Sequence, residues 1–365
     1  MWNIEGFRKN LAAIVNMDSG SENLWGIGEV ARYLALRMKE EGFHVQLLDG
    51  DTKIQAQTHH EEQFDILMVG HMDTVFPDGT AEERPYAEKD GRAYGPGVAD
   101  MKAGLLLAMN AAARLKQERP DLKLCLAFNS DEEIGSAASR QWLQSLARKT
   151  KYTFVFEPGR EGNGLVRSRK GCADLTVRFH GIAAHAGVAP EKGANAVAEM
   201  ARWITVLTQA QNLEIGTSVN TGVVRGGTAP NVVADFAELK VDIRMKLPEE
   251  LERIRKVVQE LENTVSVKGV TVEASFANET MPMNPSEVTE ELMEKMNRTA
   301  EEIGCKITWV DTGGVSDANH IAGLGIPTIC GCGPVGGNMH SEKEFMELDS
   351  IETRLDLIYR TCLKL

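Results

Sequence analysis

The sequence predicts an α/β protein: a mostly parallel mixed sheet flanked by helices, with an inserted α+β domain of four antiparallel strands and two helices. Three observations predict it. Short continuous apolar runs alternate with amphipathic helical stretches up to about residue 168, strands with one polar face follow to about 280, and the first texture then returns. A chain of 365 residues is long enough for about two domains. Residues 1–168 and 281–365 are read as one discontinuous domain and 169–280 as the insert.

The elements follow in order. Leu24, Ile27, Val30, Leu34 and Met38 recur at helical spacing before a stop at Gly42, and His44–Leu48 reads as a strand. The run Ile66-Leu67-Met68-Val69 has the unbroken apolar character of a strand covered on both faces. Ala103–Lys116 and Ser136–Ala147 read as helices, and Leu122–Phe128 and Tyr152–Phe156 as strands. In the insert, Ala173–His180, Ser218–Arg225 and Val232–Arg244 read as strands, and Ala194–Leu207 and Pro248–Leu261 as helices. Beyond Pro285 come a helix to Ile303, strands at Ile307–Val310 and Pro327–Cys330, and a closing helix from Ser350.

Composition excludes several classes. With 42% hydrophobic and 25% charged residues the chain is an ordinary globular one. A net charge of −13 with no basic cluster argues against a nucleic-acid partner. No apolar run approaches the roughly 20 residues of a membrane helix, and no export signal is visible. Six cysteines spread over a long chain read as free buried thiols in a reducing cytoplasm; Cys330-x-Cys332 alone does not make a structural zinc site.

Five clusters fall in or near strand-end loops, where open α/β sheets bind ligands: Gly70-His71-Met72-Asp73, Gly97-Val98-Ala99-Asp100, Asp131-Glu132-Glu133, Phe156-Glu157-Pro158 and Asn338-Met339-His340-Ser341-Glu342. Each has a plainer reading. A His-x-Asp is also a hydrogen-bonded loop pair, paired glutamates also mark a solvated helix start, and Asp100 also suits an N-cap. Glu157 is harder to explain away, because it closes an apolar strand where an unpaired charge is costly. Jointly, two histidines and three carboxylates form a set for two divalent ions: one carboxylate bridges, and each ion takes one imidazole and one terminal carboxylate. Such ligands suit zinc, with cobalt or manganese as substitutes. Asp73 is placed to hold the His71 ring, and Glu132 is left free as general base.

Through these motifs the chain resembles the M20 (clan MH) zinc metallopeptidases, a family that includes glutamate carboxypeptidases, acetylornithine deacetylase and succinyl-diaminopimelate desuccinylase. The resemblance implies that Asp100 bridges two zinc ions per chain, with Glu133 and His340 on one and His71 and Glu157 on the other. It further implies that Glu132 shuttles the proton and that Asp73 orients His71. A cis peptide after Asp100 is expected on the same ground. In the insert, Ala184-His185-Ala186-Gly187, Ala229-Pro230-Asn231 and Asp242-Ile243-Arg244 match as well. The likeness makes residues 169–280 a lid and dimerisation domain of a homodimer. It gives His185 the tetrahedral oxyanion of the partner's site, and gives Arg244 and Asn231 the substrate carboxylate, a role for which a planar guanidinium is suited. From residue type alone, a His before Ala-Gly also caps a turn, and Arg244 also pairs with Asp242 or Asp235. Gly313 and Gly314 resemble the family's carboxylate-binding loop and equally a flexible turn.

The function expected is hydrolysis of an amide beside a free carboxylate, of the glutamate carboxypeptidase kind, with an N-acyl-amino-acid deacylase as alternative. Arg169 and Lys170 are candidates for a second substrate carboxylate. A nucleotide-dependent oxidoreductase is disfavoured because Gly95-Pro96-Gly97 lacks the third glycine and puts Asp100 where a pyrophosphate would lie. A non-catalytic binding protein is disfavoured because every inferred ligand and the base are present.

Overall fold

A computed structural model describes residues 3–60 and 62–365. They form two compact units. The first comprises the chain up to Ser168, Asn284–Thr312 and Ser316–Leu365; the second comprises Arg169–Met283 and Gly313–Val315. The second unit thus ends three residues beyond the 280 read from the sequence and gains three residues of the glycine-rich loop. The reason is pairing: Arg169 and Met283 exchange both backbone hydrogen bonds, and Arg169 donates to the Gly314 carbonyl at 2.9 Å.

The first unit is built on a six-stranded sheet in the order His44–Leu48, Lys53–Gln57, Leu124–Asn129, Phe64–His71, Thr150–Val155, Thr328–Ile329. The last four run parallel and the first two are antiparallel additions, so the sheet is mixed and mostly parallel. Ile66 to Val69 are fully buried, as their unbroken apolar run requires. Helices Leu24–Glu40, Ala103–Glu118 and Ser350–Cys362 share one hydrophobic core with this sheet. A first helix, Ile4–Val15, is capped by Asn3 and buries Phe7, Leu11, Ile14 and Val15. Glycine at 104 admits the backbone of Phe156 beside the long helix, since a Cβ there would stand 2.0 Å from the Phe156 carbonyl oxygen.

The expected helix Ser136–Ala147 starts only at Arg140, because Ser136 takes a left-handed φ of 55° that no helix continues through. All six cysteines are free thiols, and Cys330 and Cys332 are buried. No helix among the described residues is long and apolar enough to cross a membrane.

The second unit is a four-stranded antiparallel sheet ordered Ser218–Gly226, Phe236–Met245, Gly171–His180, Thr271–Thr280, with helices Ala196–Ala210 and Glu249–Asn263 packed against it. Ala173, Leu175, Val177 and Phe179 alternate inward against the fully buried Trp203, whose ring meets Phe179 edge-on at 5.5 Å. The strand expected at Val232–Arg244 begins at Phe236, because Val232 and Val233 instead pair with His185 and Ala184.

Trp203 separates burial from hydrogen bonding, since its indole N–H is buried without an acceptor. Trp203→Ala is expected to lower the stability of the full chain by about 3–5 kcal/mol. Trp203→Phe forfeits no hydrogen bond and should cost clearly less. Urea denaturation followed by circular dichroism measures both; equal losses would contradict this account.

Candidate metal centre

Parallel register gathers the site. His71 ends its strand opposite Asn129, the last residue of the neighbouring strand, and Val69 stands opposite Val155 on the other side. The turn carrying Glu132 and Glu133 therefore leaves one strand end beside His71, and Glu157 follows two residues beyond Val155 on the other. Asp100 arrives on the loop before helix Ala103–Glu118. The helix takes Lys102 as its N-cap, so Asp100, two residues earlier with φ and ψ of −111° and 90°, does not cap it, and the Asp100–Met101 peptide is cis. His340 stands on an exposed turn with a φ of 60°.

The distances are short. His71 Nε2 lies 3.3 Å from Asp100 Oδ1 and 3.8 Å from Glu157 Oε1; His340 Nε2 lies 3.3 Å from Asp100 Oδ2 and 3.2 Å from Glu133 Oε2. Asp100 thus turns one oxygen to each imidazole. His71, Asp100 and Glu133 offer ligand atoms all within 4.8 Å of one another, and so do His71, Glu132 and Glu157. The second triad adds Glu132 to the ligand-capable atoms, a position the sequence reading reserved for a base.

Asp73 supports the group from behind. Its backbone carbonyl lies 3.0 Å from His71 Nδ1 and its Oδ1 lies 3.3 Å away. The carboxylate also accepts the hydroxyl of Ser21 at 2.8 Å and the N–H groups of Glu132 and Glu133 at 3.3 and 3.2 Å. One buried side chain therefore ties the His71 ring to the loop of the paired glutamates. That loop is closed by Asp131, which accepts from Ala138 and Ser139, and backed by buried Asp317, which accepts from Ser136 at 2.6 Å and Asn129 at 2.9 Å. Beside Glu133 opens a cavity of about 620 Å³ bounded by Ser21, Asn23, Val75 and Ile134.

Burial works against a charged His71, yet Asp100 and Asp73 override it and raise its pKa well above the ordinary value. Contact with Asp100 and Glu133 lifts His340 to about 10. Burial and then the Glu157 charge push the Glu132 carboxyl well up. His71 Nε2 is buried without a hydrogen-bond partner. An orphaned imidazole nitrogen facing several carboxylates is the donor set of a divalent cation, so the residues fit metal ions.

Five further residues singled out from the sequence, His185, Asn231, Arg244, Gly313 and Gly314, belong to the second unit. His185 is exposed and its Nδ1 accepts the Gly187 N–H at 3.2 Å, the turn-capping geometry; Ala186 donates to the Asn231 carbonyl, which brings the His185 and Asn231 segments together. The Arg244 guanidinium is taken up by Asp242, at 2.8–3.0 Å. Gly313 and Gly314 are exposed, and the Gly314 carbonyl accepts from the buried side chain of Arg169. Sequence reasoning passed over Ser21, Asp317 and Glu344. Of the two glutamates after His340, Glu342 is exposed and Glu344 buried, a difference without a periodic signal on a turn.

The model of peptidase family M20/M25/M40 matches residues 67–364. Carboxypeptidase G2 from Pseudomonas sp. (strain RS-16) is 29% identical over 372 residues, covering 98% of this chain and 88% of the relative. Acetylornithine deacetylase from Proteus mirabilis (strain HI4320) is 29% identical over 194 residues, 49% of each chain. Among solved structures, aminopeptidase PepT from Bacillus cereus ATCC 10987 shares the fold with a TM-score of 0.83, at 24% identity and 98% coverage of both chains.

Replacing Asp73 by Asn should weaken metal uptake by about 10–100-fold, because an amide cannot accept all the donors that this carboxylate serves. Zinc titration against a chelating indicator checks it; wild-type affinity would remove Asp73 from this role.

Proposed function

This chain belongs to peptidase family M20/M25/M40 and is a hydrolase of the metallopeptidase type, and from that premise we propose that it cleaves an amide bond next to a free carboxylate using two zinc ions. What carries the reading is the approach of His71 to Asp100 and Glu157, and of His340 to Asp100 and Glu133, at 3.2–3.8 Å. Asp100 is assigned to both ions, Glu133 and His340 to one, and His71 and Glu157 to the other. Bound there, the ions would polarise the substrate carbonyl and lower the pKa of water toward roughly 7. Glu132 accepts the proton of the attacking water and delivers it to the leaving amine. Asp73 keeps the His71 ring turned toward Asp100.

Of the substrates open to such a site, a peptide or conjugate ending in glutamate is preferred. Likeness to carboxypeptidase G2 runs through 98% of the chain, while likeness to acetylornithine deacetylases, which favours an N-acyl-amino-acid deacylase as second reading, covers 49–62%. The cavity beside Glu133 lies within the roughly 300–1,000 Å³ of small-molecule sites and suits a bulky substituent at the cleaved bond. The substrate carboxylate is assigned to Arg244 and Asn231, with the Gly313–Gly314 loop; it must compete with Asp242 for the guanidinium. His185 is assigned to the oxyanion of a partner chain's site in a homodimer. Dimerisation is supported by the edge strand Ser218–Gly226, whose Val223 and Val224 are 38% and 50% exposed. Six free thiols accord with a cytoplasmic setting.

The zinc-loaded protein, assayed against dipeptide, pteroyl-glutamate, N-acetyl and N-succinyl substrates, should prefer glutamyl amides and lose activity to a chelator; cleavage of simple N-acyl amino acids alone would favour the deacylase. Glu132→Gln should keep two ions and lose about 10²–10⁴-fold in kcat. Loss of one ion would instead make Glu132 a ligand. Mixing inactive Glu132→Gln and His185→Ala chains should restore part of the activity, since one hybrid site keeps both groups; no recovery despite subunit exchange would refute the shared histidine.

A further inference from the structure

The Asp100 loop is gripped by a buried carboxylate that the reaction outlined above does not use. Glu344 is 2% exposed. Its Oε1 accepts the N–H groups of Ala99 and Asp100 at 2.8 and 2.9 Å, and its Oε2 accepts that of Gly97 at 3.0 Å. Backbone of this kind has no helical or strand partner for its donors, so something must satisfy them, and a carboxylate accepts more strongly than a neutral oxygen. Fixing the Asp100 amide fixes its Cα–Cβ direction, and with it the split presentation of Oδ1 to His71 and Oδ2 to His340.

Glu344 also terminates the His340 turn. Ser341 donates to the Asn338 carbonyl at 2.7 Å, Lys343 donates to the Ser341 hydroxyl, and the Glu344 N–H returns to the Ser341 carbonyl at 3.2 Å. This turn is otherwise open: the His340 side chain is 55% exposed. At the far end of the Asp100 loop, buried Lys102 donates to the Met17 carbonyl at 2.8 Å, anchoring the segment on its other side.

We propose that Glu344 is a positioning residue for the metal centre: it clamps the backbone of Asp100 to the turn of His340, and so sets how these two ligands are presented and the affinity for the ion that His340 would hold. The inference rests on the assignment of Asp100 as the shared ligand.

The test uses the full chain, stripped of metal by chelator and titrated with zinc and with cobalt(II). Glu344→Gln places an amide N–H₂ against backbone donors. It should weaken uptake of one ion by about 10–100-fold, alter the visible spectrum of the cobalt form, and lower kcat with KM changed less than about twofold. Glu344→Asp keeps the charge but withdraws the carboxylate by one methylene, and it carries the same test should the Gln variant not fold. Unaltered stoichiometry, affinity and cobalt spectrum in a folded variant would overturn the proposal, even if its thermal midpoint fell. Failure of the underlying assignment reads differently, because the wild-type chain itself would then not take up two ions.

Discussion

Mutual repulsion among crowded, buried and half-buried carboxylates is the constraint to which the rest of this structure answers. Asp73, Asp100, Glu132, Glu133 and Glu157 gather around two imidazoles, with oxygens of Glu132 and Glu157, and of Asp100 and Glu133, within 4.8 Å of each other, and like charges so close and largely out of water cannot all remain ionised unless positive charge joins them. With protein groups alone, protons supply that charge. His71 and His340 hold theirs far more tightly than usual, Glu132 is driven toward neutrality, and Asp100, between the two imidazoles, stays ionised despite burial. Divalent cations perform the same neutralisation at fixed positions, which is why this arrangement is chemically a metal site more than an ion-pair network.

The fold makes the cluster affordable by distributing its backing over many elements. Each carboxylate or its loop is held by donors from elsewhere: Asp73 by Ser21 and the Glu132–Glu133 amides, Asp131 by the 138–139 amides, and Asp317 by Ser136 and Asn129. These contacts cross-link the loops that follow two parallel strands, whose pairing already sets His71 beside Asn129. Displacing any one loop would leave buried acceptors without donors, a cost of about 1–3 kcal/mol for each.

How much of this the sequence discloses depends on whether a feature is local. The run Ile66–Val69 announces a covered strand, and the motifs around His71, Asp100, Glu133, Glu157 and His340 are each a few residues long, so both can be read from spacing. The strand Lys53–Gln57 escapes because only Ile54 and Ala56 are apolar, too short an alternation to stand out from the polar stretch around it. The helix Ile4–Val15 escapes when the N-terminus is weighed only as an export signal. Glu344 and Ser21 escape for a deeper reason: their partners lie 244 to 247 and 52 residues away, and a carboxylate or hydroxyl meeting backbone or side-chain groups at that distance leaves no pattern in its own neighbourhood. Arg244 shows the opposite limit. Its pairing with Asp242 was one of two local readings, and only the conformation of the strand decides which partner is engaged.

Glu132 and Glu133 are adjacent and chemically identical, yet their surroundings part them. Glu133 meets the His340 imidazole at 3.2 Å. Glu132 is pushed the other way by burial, by Glu157 and by Asp317 behind it. A proton carrier works best with a pKa near the working pH, and neither an ordinary exposed glutamate nor one as strongly raised as Glu132 meets that condition. Cations beside Glu157 and His71 would draw the Glu132 value back down by opposing the same carboxylate charge that raises it. The Glu157 charge that opposes ionisation of Glu132 is therefore the charge that bound metal would offset, in the direction the proposed role of base requires.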